Sequence, residues 1–180
     1  ITHLNLSGLS NTLGALIDGA KWGGGYGTAA SLTFSFPSGI AWHETGYGTN
    51  GEPGTRFDLT ATQRSAVSEA LDIVSRSANL RFTQVGEGEF TVGELCFSGT
   101  YNVSAGSHAH AYTPANGQVE SGDVWFSEDW YFDPVHQGSF GFTTILHEIG
   151  HALGLKHPFE PGKSGQTLSS DFNSYTHTIM

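Results

Sequence analysis

The chain has few of the residues on which several common classes of protein depend. It contains one cysteine, Cys96, so it can form neither an internal disulfide nor a cysteine-rich structural zinc site. Seven lysines and arginines stand against 17 acidic residues, and the formal net charge of -10 argues against nucleic acid and against an anionic membrane as partners. No apolar run approaches the roughly 18 residues of a membrane-spanning helix. A chain of 180 residues is therefore expected to form one acidic domain around one core.

The two ends of the chain are also unusual. The single methionine is Met180, so Ile1 is not a translation start, and we expect a chain that was either processed or trimmed. No secretory signal begins the sequence, because the first basic residue is Lys21 and no apolar stretch follows Ile1. Cys96 lies in an apolar run, which predicts a buried and unreactive thiol.

The most informative segment is HEIGHALGLKH, which runs from His147 to His157. His147 and His151 are four residues apart in a segment with helical patterning. They should therefore lie about 40° apart around the helix axis and roughly 6 Å apart along it. Two imidazoles placed on one helix face in this way can share a metal ion.

The third histidine can reach the same ion only if the helix ends first. In a continued helix His157 would lie roughly 240° around the axis from His151, out of reach of the metal. Gly154 can end the helix in a left-handed conformation and return the chain towards the ion. Pro158 also indicates that the helix has ended before it.

Three histidine ligands without a fourth protein ligand are typical of a catalytic zinc site, which keeps one position open for water. Glu148 should point away from the ligand row, yet lie close enough to accept a proton from that water. The alternative is that these are unrelated core or surface histidines. The combination of His147, Glu148, His151, Gly154 and His157 at these spacings argues against it.

The hydrophobic pattern predicts two long helices and about five strands. Thr60 and Gln63 form a capping box for a helix over 61–78, and the metal motif lies on a second helix that begins within 139–143. Strands are predicted at 31–36, 80–85, 90–97, 109–112 and 123–126. Loops are predicted at 43–58, 98–107 and 127–138.

These elements predict an α+β fold with one mixed, twisted sheet. Asn116-Gly117 is typical of a type I′ hairpin turn between the last two strands. One of those strands should therefore be an antiparallel strand at the edge of the sheet, where an extended peptide could pair with it.

His108 and His110 stand beside that edge strand and, being two residues apart, should face the same side. They could form a second metal site or contact substrate, or they could be ordinary, partly exposed histidines. We favour the last of these interpretations. The isolated histidines elsewhere in the sequence receive no role.

With the metal motif in view, the chain resembles the metzincins, and within them the serralysins, which are secreted bacterial metallopeptidases. Four segments carry the resemblance, and the last of them contains the eleven-residue motif. They are ALIDGAKW, SLTFSFP, SGDVWF and GFTTILHEIGHALGLKHP. Together they extend over most of the chain.

The resemblance implies a zinc-dependent endopeptidase that is secreted and acts on extended protein or peptide substrates. In it, His147, His151 and His157 bind zinc and Glu148 acts as general base and acid. Met180 would be the methionine of the turn beneath the metal. Residues 1–30 would form an N-terminal segment and residues 31–180 the metzincin-like catalytic domain.

The resemblance departs from the family pattern after the methionine. Serralysins place a tyrosine two residues beyond it, whereas nothing follows Met180 here, and Tyr175 precedes it and is no substitute. The family pattern implies a C-terminal region with calcium-binding repeats, which could stay bound as a fragment. A protein inhibitor would be a further partner.

Two other functions are compatible with a three-histidine zinc site. One is an inactive or inhibitor-restrained zinc-bound module that binds peptides along the edge strand, although such a module would not need Glu148. The other is a structural zinc domain, which is disfavoured because nothing supplies a closed fourth ligand.

Overall fold

The computed structural model describes residues 1–38, 47, 50–86, 92–104, 106–115, 117–129, 135–172, 174 and 176–180. Its α-helices are α1 (Asn11–Leu16), α2 (Ala61–Ser77) and α3 (Phe140–Leu153). Its strands are β1 (Thr2–His3), β2 (Ala20–Lys21), β3 (Ala30–Ser35), β4 (Arg56–Phe57), β5 (Leu80–Gln84), β6 (Leu95–Thr100), β7 (Ala109–Ala111) and β8 (Val124–Phe126). Short 3₁₀ turns cover Glu52–Thr55 and Gly162–Ser164.

The main sheet is mixed and has the strand order β5-β3-β6-β8-β7. Neighbours from β5 to β8 are parallel, whereas β7 pairs with β8 in the antiparallel sense and ends the sheet. The short strand β4 adds an antiparallel pairing to the end of β6. The predicted α+β fold, with a mixed sheet, an antiparallel edge strand and two long helices, is confirmed.

Helices α2 and α3 cover one face of this sheet and form the core with it. The capping box predicted for α2 is present, with Gln63 N–H donating to Thr60 Oγ1 and Thr60 N–H donating to Gln63 Oε1. Apolar side chains of α2, α3 and the inward positions of the strands form one continuous cluster. The sheet thereby gives α3 a fixed support on one side and leaves its other side facing the cleft.

The prediction for β6 was wrong at both of its ends. The sequence pattern indicated a strand over 90–97, whereas β6 begins at Leu95 and continues to Thr100 through a stretch expected to be a loop. All six residues of β6 are buried, so its two faces show no alternation of apolar and polar residues. Ser98 Oγ donates to Phe57 O, which shows how the polar end of β6 is satisfied by β4. Residues 90 and 91 lie outside the described residues.

The register of β7 and β8 agrees with a hairpin centred near the predicted turn. Ala109 is paired with Phe126 and Ala111 with Val124, so the midpoint falls between residues 117 and 118. Asn116 lies outside the described residues, as do residues 130–134 of the predicted aromatic loop and Tyr175. The strands end several residues before the turn, and residues 112–115 and 117–123 form turns and single hydrogen bonds in place of a ladder.

His108 and His110 do not share a side of the sheet. The ring of His108 packs against Phe140 at the start of α3, with the ring centroids 5.2 Å apart. His110 Nε2 lies 2.9 Å from Oε1 of the buried Glu52, on the face away from the helices. His108 forms a bend just before β7, so its side chain does not follow the alternation of the strand, and the two rings cannot hold one ion.

The N-terminal segment lies against the end of α3. The indole Nε1–H of Trp22 donates to Ala152 O over 2.8 Å, and Asp18 N–H donates to Gly154 O over 2.9 Å. The domain boundary placed at residue 30 stays a prediction. No helix in the described ranges has the length and apolar character needed to cross a membrane.

Candidate active site

Helix α3 presents its apolar side to the core and its histidines to a cleft. Ser139 caps it, the Oγ atom accepting a hydrogen bond from Phe142 N–H over 3.2 Å. Ile145 and Ile149 are fully buried, whereas His147 and His151 are only partly buried. The helical spacing thus places the isoleucines on the side that packs on the core and the candidate ligands on the side that faces the cleft.

Gly154 ends α3 in the predicted left-handed conformation, with φ of 106°. Its N–H bonds back to the carbonyl of His151 over 2.9 Å. A β-carbon at this position would overlap the carbonyl oxygen of Ala20. Position 154 therefore requires glycine for two reasons: the backbone angle is left-handed, and the N-terminal segment leaves no room for a β-carbon.

The turn brings the third histidine back to the other two. The Nε2 atoms of His147 and His151 are 3.1 Å apart, those of His151 and His157 3.1 Å, and those of His147 and His157 3.2 Å. A tetrahedral zinc ion, with Zn–N bonds near 2.0–2.1 Å, would hold its nitrogens roughly 3.3 Å apart. In the part of the chain that the structure describes, these histidines are the one group of three or more His, Cys, Asp or Glu side chains that could hold a metal ion.

The hydrogen-bond partner of Nδ1, the ring nitrogen that faces away from the other two histidines, determines which nitrogen of each ring carries the proton. His147 Nδ1 faces Ile179 O, His151 Nδ1 lies 3.0 Å from Leu155 O, and His157 Nδ1 lies 3.0 Å from Glu160 Oε1. A carbonyl or carboxylate oxygen only accepts, so each Nδ1 must donate. In a neutral ring that donates from Nδ1, the Nε2 atom presents a bare lone pair, and three lone pairs this close repel one another unless a cation lies between them.

Burial supports the neutral, metal-binding form of the imidazoles. It lowers the pKa of His147 and lowers the pKa of His151 to about 4. Both rings are consequently uncharged at neutral pH, as a metal ligand must be.

Glu148 lies beside this cluster with part of its carboxylate unused. Its side chain is 5% exposed, and within the described residues Oε2 has no hydrogen-bond partner. Burial raises the pKa of Glu148 to about 8, whereas a dication beside it would favour the ionised carboxylate. An unpaired buried oxygen next to three converging lone pairs fits a site that holds both a metal ion and a water.

Two clefts that share lining residues open onto these groups. One, of about 550 Å³, is lined by Phe140 and Thr143 together with His147 and Glu148. The other, of about 410 Å³, is lined by all three histidines and Glu148. Ala109 of β7 lines both, so the edge strand runs alongside the candidate metal position.

The matches to known proteins agree with this geometry. The model of the matrixin peptidase family matches residues 45–164, about two thirds of the chain. The chain belongs to the matrixin family. The resemblance to serralysins is confirmed as well.

Among curated relatives of this matrixin, serralysin of Proteus mirabilis is 31% identical, the match covering 89% of the chain and 36% of the relative. Serralysin A of Dickeya chrysanthemi is 30% identical over 88% of the chain and 34% of the relative. Macrophage metalloelastase of Oryctolagus cuniculus is 31% identical over 53% of the chain and 22% of the relative. The chain thus spans about a third of the length of these serralysins.

The structure also shows contacts that the sequence motif did not indicate. The acceptors for the three Nδ1 atoms are two backbone carbonyls and the side chain of Glu160. Of these acceptors, only Glu160 had a sequence signal, since a carboxylate three residues after a ligand histidine is a plausible partner for its second nitrogen. Met180, which the resemblance to serralysins had singled out, is buried and packs on α3 beside Gly150.

Proposed function

We propose that this matrixin is the catalytic domain of a zinc-dependent endopeptidase. His147, His151 and His157 hold the ion and Glu148 is the general base and acid. The observation that carries the proposal is the convergence of three Nε2 atoms, 3.1–3.2 Å apart, beside Glu148 Oε2, which has no hydrogen-bond partner within the described residues. When bound, zinc supplies Lewis-acid chemistry, lowering the pKa of a water and polarising the scissile carbonyl.

Glu148 moves the proton in this reaction. Its Oε2 atom accepts a proton from the attacking water as the oxygen forms a bond to the carbonyl carbon. The same carboxyl group then donates that proton to the amine nitrogen as the C–N bond breaks. Low exposure of Glu148 keeps bulk water from competing for its free oxygen.

The edge strand offers the means of holding an extended peptide. Even-numbered residues around β7 bond to the β8 side, as in Ser127 N–H to His108 O and Tyr112 N–H to Asp123 O. By strand alternation, the backbone groups of Ala109 and Ala111 point the other way. Both residues line the cleft that contains the histidines, so a peptide paired with β7 would run past Glu148.

The remaining expectations are also part of the proposal, but no contact in the structure supports them. Secretion, calcium in a C-terminal region, a bound C-terminal fragment and a protein inhibitor rest on the resemblance to serralysins alone. An inactive peptide-binding module is not favoured, because the matrixin and serralysin matches are to peptidases.

Replacement of Glu148 by Gln tests the proposal directly. Removing the base while keeping the side-chain shape should lower kcat for casein cleavage at least about 100-fold and leave one zinc per chain. Activity is measured with and without a chelator, and zinc by elemental analysis. The matched control is Glu69→Gln on the exposed side of α2, which should cleave normally. Full activity in the Glu148 variant, or chelator-resistant cleavage by the unmodified chain, would refute the assignment.

A further inference from the structure

Lys156 is a buried cation whose hydrogen bonds, among the described residues, go to backbone carbonyls. Its side chain is 4% exposed. Nζ donates to Ala15 O over 2.5 Å, to Glu160 O over 2.5 Å and to Gln166 O over 3.2 Å, with His157 O at 3.5 Å. An ammonium group has three protons, and burying it is costly unless each finds an acceptor. Here each does, so the group is held in one position.

The acceptors of Lys156 belong to two parts of the chain that are far apart in sequence. Ala15 lies in α1, and the other carbonyls lie in the loop that follows the third histidine. The backbone strengthens the same junction, with Lys156 N–H donating to Leu16 O over 2.9 Å. Ser164 Oγ adds a hydrogen bond to Gly14 O over 2.6 Å. Residues 14–18 therefore lie fastened alongside 154–157.

This junction continues to His157 through Glu160. The main-chain carbonyl of Glu160 accepts from Lys156 Nζ, while its carboxylate accepts from His157 Nδ1 over 3.0 Å. The carboxylate side chain is half exposed, so its position depends on the backbone that carries it. Fixing that backbone fixes the orientation of the His157 ring, whose Nε2 faces the ion position.

We propose that Lys156 is a positioning residue for the metal site and that, through it, residues 14–18 support the third ligand. Lys156 acts through Glu160 and the 154–157 turn, and its ammonium group points to carbonyls and away from the ion position. The N-terminal segment is then part of the machinery that sets zinc affinity. This inference rests on the proposed function of the three histidines.

The test is zinc affinity of the full chain with Lys156→Met, measured by competition with a chromophoric chelator. Loss of a contact that orients a ligand typically lowers metal affinity 10–100-fold, and we expect about tenfold or more here. The matched control is Arg76→Met, because Arg76 is an exposed cation in the last turn of α2, away from the junction between residues 14–18 and 154–157. The control should bind zinc as the unmodified chain does.

A double-mutant cycle with Glu160→Ala asks whether Lys156 acts through Glu160. If it does, Lys156→Met should lower zinc affinity less in the Glu160→Ala background than in the unmodified chain. The absorption spectrum of the cobalt-substituted protein reports ligand geometry and should shift in both single variants. A destabilised but correctly arranged site would leave that spectrum unchanged.

Ser164→Ala covers the case in which Lys156→Met does not fold. It removes the hydrogen bonds of Ser164 Oγ to Gly14 O, Pro161 O and Gln166 N–H and leaves the side chains of Lys156 and His157 unchanged. It should lower zinc affinity severalfold and shift the cobalt spectrum. If both Ser164→Ala and Lys156→Met leave zinc affinity and the cobalt spectrum unchanged, the inference is overturned. If Lys156→Met does not fold, an unchanged zinc affinity and spectrum in Ser164→Ala alone overturns it. Failure of the unmodified chain to bind one zinc would instead overturn the proposed function.

Discussion

At the scale of single residues, the shape of the site depends on Gly154. This residue combines φ of 106° with a position where a β-carbon would overlap Ala20 O. A larger residue should therefore lower the free energy of unfolding in two ways, by straining the backbone angle and by displacing the N-terminal segment. Displacement matters more for function, because the same turn carries His157 towards the ion position.

Gly154→Ala should lower the free energy of unfolding by more than about 2 kcal/mol and should weaken zinc binding. Gly27→Ala is the matched control, since Gly27 also has positive φ, of 76°, but no atom lies within 4 Å of the added carbon. The control should lose only about 1 kcal/mol and bind zinc normally. Urea unfolding and chelator competition measure the two effects. Equal behaviour of the two variants would show that the contact with Ala20 has no influence on the site.

The sequence predicted these residues because their signal is local. Four-residue spacing places His147 and His151 together, and a glycine three residues later marks the turn. The acceptors behind the rings could not be predicted in the same way. Ile179 O reaches His147 from 32 residues away through its main chain, and a carbonyl leaves no mark in the sequence.

At the scale of elements, α2 supports the sheet behind α3 and depends on its own first turn. Thr60 and Gln63 satisfy each other's backbone N–H groups in the predicted capping box. The helix lies on the sheet away from the cleft, packing against α3 through the shared core. Its stability and the geometry of the metal site should therefore be separable.

Thr60→Ala should lower the free energy of unfolding by about 1 kcal/mol, because one N-terminal N–H loses its acceptor. Zinc stoichiometry and kcat should stay unchanged. Thr60→Ser keeps the hydroxyl group and should restore most of the stability. A loss of zinc in Thr60→Ala would indicate that α2 and the metal site are coupled more strongly than their contacts suggest.

The contrast between α2 and β6 shows which elements a sequence can predict. In a helix with one buried side, apolar residues recur at helical spacing in the sequence, and capping residues mark where the helix begins, so such a helix can be predicted. β6 is buried on both faces, and its last residues are Ser98, Gly99 and Thr100, which resemble a loop. These residues are buried because β4 and the Glu52 turn cover them, a contact made across more than 40 residues.

At the scale of the whole molecule, the metal position joins three separate parts of the chain. It lies between α3, the turn that carries His157 and the C-terminal residues, since Ile179 O holds the ring of His147. Without a cation, the three Nε2 lone pairs at 3.1–3.2 Å repel one another. Metal should therefore stabilise the folded chain as well as enable catalysis.

Removal of zinc with a chelator should lower the melting temperature, and added zinc should restore it. At free zinc 100 times the dissociation constant, the folded state gains about 2.7 kcal/mol. For a domain of this size that corresponds to a rise in Tm of roughly 5–10 °C. Differential scanning calorimetry over a series of buffered zinc concentrations measures the shift.

Three variants separate binding from chemistry in this experiment. Glu148→Gln should show the full zinc-dependent rise in Tm although it does not cleave casein, because the ligands are intact. His157→Ala should lose most of the rise, because two histidines alone bind the ion weakly. His177→Ala removes an exposed histidine outside the cluster and should behave as the unmodified chain. A zinc-dependent rise that survives in His157→Ala would place the stabilising ion elsewhere, and the assignment of the third ligand would fall with it.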